Sequence, residues 1–246
     1  MKKLTVFCAA ACLAASAAAQ NHPDLHEVLD RQKGRNLIEI PKGTYTLDVR
    51  SNGPYKFHNL TDVHINGNGS TVICNNQEQA FSFYNCVRVE LRDLTIDYDP
   101  LCFTQGEITA VAEDGSWFDV RIDEGYPVTG LAANRVQFYD PQTRLLKRNS
   151  ITTYTSNYSA LKQLGHNLFR AVKNGTWSAG EQVGDLVVMD VKTDKPNAGV
   201  HTVMLNKCYN TKLENVTVYG SNTFSFFEKE GYANEYRNCV VDRGPM

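Results

Sequence analysis

Asp97, Tyr219 and Asp242 are separated by 122 and 23 residues, and both intervals recur elsewhere in the chain as repeat offsets. Residues one repeat apart occupy the same place on successive coils of a stacked fold, so these three fall in a line. Two coils separate the two aspartates by about 9 to 10 Å of backbone at the usual strand spacing. Inverting hydrolysis of a glycosidic bond needs two carboxyl groups roughly 6.5 to 9.5 Å apart, one protonated, one ionised, with a water between them. The pair meets that requirement within side-chain reach. Tyr219 between them can stack on a sugar ring or hydrogen-bond it. The structural alternative is that Asp97 and Asp242 are turn residues, Asp being favoured where a strand ends.

Glu228 is a second acid candidate. The 23-residue offset gives it the inward position that Leu205 holds one coil earlier, where a carboxyl is desolvated and its pKa raised, as a general acid requires. The competing reading is a bulge near Gly231 that turns Glu228 outward and leaves Glu230 opposite Lys207. Asp99, Glu230, Arg243 and Tyr219 complete the expected sugar-binding set. His64, His166 and His201 are isolated and read as surface or core histidines. Trp117 and Trp177 read as core side chains. No cofactor is expected: Ca²⁺ needs three or more clustered carboxylates, and Asp97 with Asp99 supplies two.

The elements that must position these groups come from internal repeats. YKFHNLTDVHI from Tyr55, FSFYNCVRVEL from Phe81 and VMLNKCYNTKL from Val203 align without gaps, at offsets of 26 and 122. LENVTVYG from Leu213 then matches YRNCVVDR from Tyr236 at an offset of 23. Such periods, with alternating β-branched and apolar residues, predict an all-β fold: a right-handed parallel β-helix, each coil stacking on the next. A leucine-rich repeat has a similar period but a Leu and Asn signature that is missing here. Leu60, Cys86 and Cys208 share one inward ladder, read as stacked thiols rather than a disulfide. Asn59 and Asn85 share another, read as a side-chain amide ladder.

The offset of 122 implies that about 97 residues interrupt the coils. GEITAVAEDGSWFDVRID reads as a hairpin turning at Glu113-Asp114-Gly115, RVQFYDPQTRLLKR as a second turning at Asp140-Pro141, and GDLVVMDV as a further strand. Together they predict an inserted antiparallel barrel or sandwich, in which SALKQLG is the single candidate helix. At the start, Asp24 can N-cap DLHEVLDRQK, an amphipathic helix ending at Gly34 that would cover the first coil. At the other end the sequence stops inside a repeat with no capping device, which reads as C-terminal truncation. The expected organisation is 1–19 signal peptide, 20–99 helix and first coils, 100–198 insert, and 199–246 resumed coils.

Lys2 and Lys3, the apolar run Leu4 to Ala15, and Ala17-Ala18-Ala19 form a signal peptide pattern with cleavage after Ala19. Modification at Cys12 is the lipoprotein alternative. The apolar run is too short to span a bilayer, so the protein is expected outside the cytoplasm, secreted or periplasmic. Without Lys2 and Lys3, 23 Lys plus Arg face 27 Asp plus Glu. Nothing forms a basic stripe for nucleic acid or an anionic membrane. Five cysteines remain, with no close pair of the zinc or redox type, and the odd number leaves at least one without an intrachain partner.

LIEIPKGTY from Leu37 resembles the first strand of pectate-lyase-like β-helices, and HINGNGSTVI from His64 their second coil. DLTIDYDPLCFTQGEI from Asp93 resembles Bacteroidetes-type β-helix proteins related to the family 110 α-galactosidases, in which a β-barrel interrupts the early coils. The resemblance covers residues 24 to 246. It implies a glycan substrate and exo-acting α-galactoside hydrolysis. An Ala-Asp-Gly-x-His-like segment, often carried by further coils in that group, is missing from this sequence. The rival readings are a polysaccharide lyase on uronate glycans, with Arg243 or Arg88 as base and usually Ca²⁺, and a glycan-binding solenoid without catalysis.

Overall fold

A computed structural model describes residues 22–154, 157–191, 201–221 and 223–242; the signal-peptide pattern and Arg243 lie outside the described residues. The chain opens with α1 (Leu25–Asp30), whose Asp24 cap accepts a 2.9 Å hydrogen bond from the His26 amide. It stops one turn short of the expected span, before Gly34 at φ +82°. Leu25 and Leu29 are buried in the same apolar cluster as the coils, and Val28 packs against it.

Repeats become rungs. The first holds β1 (Leu37–Glu39), β2 (Thr44–Leu47), the single-turn α2 (Val49–Asn52) and β3 (Tyr55–His58); the second holds β4 (Thr61–Cys74) and β5 (Phe81–Tyr84). After β6 (Val87–Tyr98) the chain leaves the stack for β7 (Phe103–Val111), β8 (Trp117–Ile122), β9 (Leu131–Tyr139), β10 (Thr153–Tyr154), β11 (Tyr158–Gln163), β12 (Leu168–Lys173) and β13 (Leu186–Val191). It returns as β14 (Val203–Asn206), β15 (Lys212–Tyr219), β16 (Phe226–Lys229), β17 (Glu235–Arg237) and β18 (Val240–Asp242).

Two parallel sheets make the solenoid. One runs β1–β4–β6–β15–β17, with β2 on β4 and β18 on β15; the other runs β3–β5–β14–β16. The registers reproduce the repeat offsets: Ile65 faces Leu91, Leu91 faces Leu213, and Leu213 faces Tyr236. β6 pairs with β15 although eight strands lie between them in sequence. Inward residues stack into ladders, such as Phe57 on Phe83 with ring centroids 4.8 Å apart. Fully burying each such side chain stabilises the fold by roughly 1.5–3 kcal/mol.

Three columns of left-handed residues turn each coil. Asn59, Asn85, Lys207 and Glu230 form one, Asp62, Arg88, Asn210 and Ala233 the second, and Asp93, Asn215 and Asn238 the third, all with φ between +49° and +56°. Side chains bridge the rungs at these corners. The amide of Asn85 donates to Asn59 Oδ1 at 2.8 Å, that of Asn215 to Asp93, and that of Asn238 to Asn215. Arg88 forks onto Asp62 at 2.5 and 2.7 Å. In β4 two extra residues precede the third corner, and Gly67 there admits no side chain, since a Cβ would stand 2.4 Å from the Asp93 carbonyl.

The seven strands between β6 and β14 form their own sheet, antiparallel throughout, in the order β10–β9–β13–β7–β8–β12–β11, over a separate apolar cluster around Phe118, Phe138 and Met189. The β7–β8 hairpin turns where the sequence places it. At Asp140-Pro141 the chain also turns, but β9 meets the returning chain through one bridge, Tyr139 to Leu146, before β10. SALKQLG is not a helix. It lies in β11, where hydrogen bonding to β12 outweighs the helix propensity of its Ala, Leu, Lys and Gln. Lys173 and Glu181, both fully buried, form an ion pair in this unit, and Trp177 O accepts a further 2.8 Å bond from Lys173. Trp117 and Trp177 are half-buried rather than core; Arg170 lies over the Trp117 ring at 3.5 Å.

Cys74, Cys86, Cys102, Cys208 and Cys239 are all free thiols, and Cys86 and Cys208 stack without a disulfide. Because Asn85 combines a left-handed backbone with the amide ladder, Asn85→Ala should destabilise the fold by about 1–2 kcal/mol. Asn85→Gly should cost less, because it relieves the backbone while losing the same amide. Urea denaturation of both variants checks this order.

Candidate functional site

The face of the antiparallel sheet opposite its apolar cluster looks onto the last described coils. β9, β13 and β7 are neighbours there, and strand alternation sends every second side chain to that face. Gln137, Val188 and Gln105 lie side by side across the three strands. One step along, Asp190 lies opposite Phe103. Arg135 and Tyr139 flank Gln137 on β9, and Tyr139 donates to Gln137 Oε1 at 3.1 Å. The intervening residues, Val136, Phe138, Val187 and Met189, fill the apolar cluster on the other side.

The solenoid supplies the second wall through Gly220, Ser221, Thr223, Ser225, Val241 and Asp242. The cleft encloses about 370 Å³, within the range of small-ligand sites. Cys102 closes its base: the buried thiol donates to Gly220 O at 2.9 Å, and Cys102 O accepts from the Val191 amide. Burial pushes this thiol up to about 12. Gly220 turns the chain at φ +59°, a conformation that other residues adopt at a cost.

Two carboxyl groups line the cleft. Asp190 is half-buried, and desolvation raises its carboxyl above the ordinary aspartate range, an effect that the charge of Arg135 partly opposes. Asp242 is exposed. Among the described residues no three His, Cys, Asp or Glu side chains converge as a metal site.

The residues expected from the sequence divide around this cleft. Tyr219 and Asp242 are register partners as the offset requires, and the ladder between β6 and β15 runs to Ile96 and Val218, next to Asp97 and Tyr219. Asp97 is half-buried behind Gly220: a Cβ on that glycine would lie 3.9 Å from Asp97 Oδ1. Burial, and then the charge of Asp99, raise the Asp97 carboxyl, while the Tyr98 amide donates to it at 2.7 Å and works against the shift. Asp97 thus borders the cleft without lining it. Asp99 is exposed.

Glu228 keeps its register with Leu205, as the offset predicts and against the alternative of a bulge, but it is exposed rather than desolvated. It stands exposed on the last described rung of its sheet, where no further strand covers it, and accepts from Asn234 at 2.8 Å and Tyr236 at 3.3 Å. Glu230 lies near Lys207 and Lys229, at 3.7 and 3.4 Å, as a surface charge. His64 is exposed and bonds Glu90; His201 is buried against Thr223.

Asp190, Arg135, Gln105 and Gln137 were not among the expected site residues. Their signal is clearest on β9, where Arg135, Gln137 and Tyr139 alternate with Val136 and Phe138, and on β7 and β13 it is reduced to Gln105 and Asp190 beside Phe103 and Val188. The sequence marks that face as half-polar but not what lies across from it. No family model and no curated protein matches this chain.

A raised aspartate works against folding once ionised. The native state holds the Asp190 proton more tightly, so stability is highest below the unfolded aspartate value of about 3.9 and falls as pH rises through the native value. Asp190→Asn should therefore raise the melting temperature at pH 7 and change it little at pH 3. Thermal scans of both proteins at the two pH values test this.

Proposed function

We propose that this chain is a carbohydrate-active protein whose cleft binds a glycan and hydrolyses an α-galactoside-type linkage with inversion. Asp190 is the acid and Asp242 the base. The observation that carries the reading is the cleft itself: two carboxyl groups in unlike surroundings, one desolvated and one in water, between walls rich in amides and hydroxyls. Unlike environments separate the protonation states of two carboxyls, as acid and base roles require. Gln105, Gln137, Ser221 and Thr223 offer donors and acceptors to sugar hydroxyls. Tyr219 and Asp97 stand beside this pair, and Asp99, Glu228 and Glu230 lie outside it.

The same proposal takes the coils as right-handed, the hand that parallel crossovers adopt. It takes α1 as the cover of the first rung and residues 100–198 as an insert grafted between two rungs, which brings one wall of the cleft. It takes the protein as exported, so that the secreted product should begin at Gln20; N-terminal sequencing of material from the culture medium or periplasm decides this. A lyase reading draws on Arg135, which gives the cleft a cation for a uronate carboxylate.

The hydrolase reading is tested with α-linked galactosides, following released galactose and product anomer. Asp190→Asn and Asp242→Asn should each lower kcat by at least about 10²-fold, and loss of Asp190 should remove the alkaline limb of the pH profile. An unsaturated product absorbing in the ultraviolet would favour the lyase, and saturable binding without turnover would favour a binding protein. Less than tenfold effects in both variants would remove these residues from the chemistry.

A further inference from the structure

Beside the cleft three rings form a tier. His201 stacks on Phe227 with centroids 4.0 Å apart and planes 25° from parallel, and Phe224 lies 5.3 Å from His201 and within 12° of the Phe227 plane. The tier is graded in exposure: His201 is buried, Phe227 is half-buried, and Phe224 is 62% exposed. An exposed phenyl ring of this kind gains nothing for folding from its outer face. It is nevertheless fixed. The Phe224 carbonyl accepts from the Thr202 amide at 3.1 Å, the Ser225 carbonyl accepts from the Val203 amide at 2.9 Å, and the Thr223 hydroxyl pairs with His201 Nδ1 at 2.9 Å. Burial lowers the His201 pKa, which favours the neutral ring in the stack.

Position connects this tier to the cleft. Thr223 and Ser225, the residues on either side of Phe224, both line it. A flat apolar ring flanked by hydroxyls matches the two chemistries of a pyranose, a C–H face and a hydroxyl rim. We propose that Phe224, backed by His201 and Phe227, is a stacking platform for a second sugar ring of a glycan whose terminal ring occupies the cleft. The ligand is then an oligosaccharide of at least two pyranose units. This rests on the reading of the cleft as a glycan site.

The test is calorimetric titration of the full chain with two probes, methyl α-D-galactopyranoside and an S-linked α-galactotriose that resists hydrolysis. The unmodified protein should prefer the triose. Phe224→Ala should weaken triose binding about five- to tenfold, the scale of one aromatic stacking contact, and leave the monosaccharide unchanged. Phe224→Trp should retain the preference. Unchanged triose affinity in Phe224→Ala, with normal monosaccharide binding, would overturn the platform and leave the cleft standing. Binding of neither sugar by the unmodified protein would overturn both. Phe224 is exposed, so its replacement should leave the circular dichroism spectrum unaltered.

Discussion

The in-register pairing of β4, β6 and β15 is the interaction on which the remainder depends. Parallel strands paired without slip put like residue on like residue, so one apolar position becomes a ladder, as with Ile65, Leu91 and Leu213. A slip of one residue would exchange the inner and outer faces and remove the core. The corners enforce the register. A left-handed residue at the same place in each coil fixes where the chain changes direction, and the amide ladder through Asp93, Asn215 and Asn238 joins neighbouring corners. Asn and Asp tolerate this backbone conformation better than most residues, whereas Lys207, Glu230, Arg88 and Ala233 adopt it because the stack leaves no other path.

The outer surface obeys the same register with charge. His64, Glu90, Lys212 and Glu235 follow one another across four rungs, and Glu90 accepts from both His64 at 2.8 Å and Lys212 at 3.2 Å. The hydrogen bond from His64 is the main cause that lowers the Glu90 carboxyl, burial opposes it, and Lys212 assists. Unlike neighbours on stacked rungs attract where a column of one sign would repel, so this ladder favours the same pairing as the core. Its contribution is small, because solvent screens exposed pairs.

Within this frame the antiparallel unit has two faces with different tasks. Its inner face is filled by Phe118, Phe138, Val187 and Met189, and the buried Lys173 and Glu181 pair sits in the same unit. Its outer face carries Arg135, Gln137 and Asp190 toward the coils. Strand alternation separates core from cleft by a single residue along each strand. Asp190 is paired with Phe103 on β7, at the point where the pairing of β13 with β9 is interrupted between Met189 and Val191, and burial there desolvates its carboxyl.

By itself the sequence determined what depends on periodicity. The offsets 26, 122 and 23 contain the rung pairing, the ladder partners Cys86 and Cys208, the stacked Asn59 and Asn85, and the partnership of Tyr219 with Asp242. The β7–β8 hairpin and the cap at Asp24 were legible because local turn and cap chemistry fixes them. The residues of SALKQLG suit a helix, and only the neighbouring edge of β12 makes the segment a strand. Tertiary structure alone decided which groups meet across the chain. A repeat offset says which residues stack, but not what faces the stack, so it puts Asp97 in line with Asp242 and carries no information on Asp190 and Arg135. Burial was likewise out of reach for Glu228: its register was readable, but its solvation depends on what covers the rung.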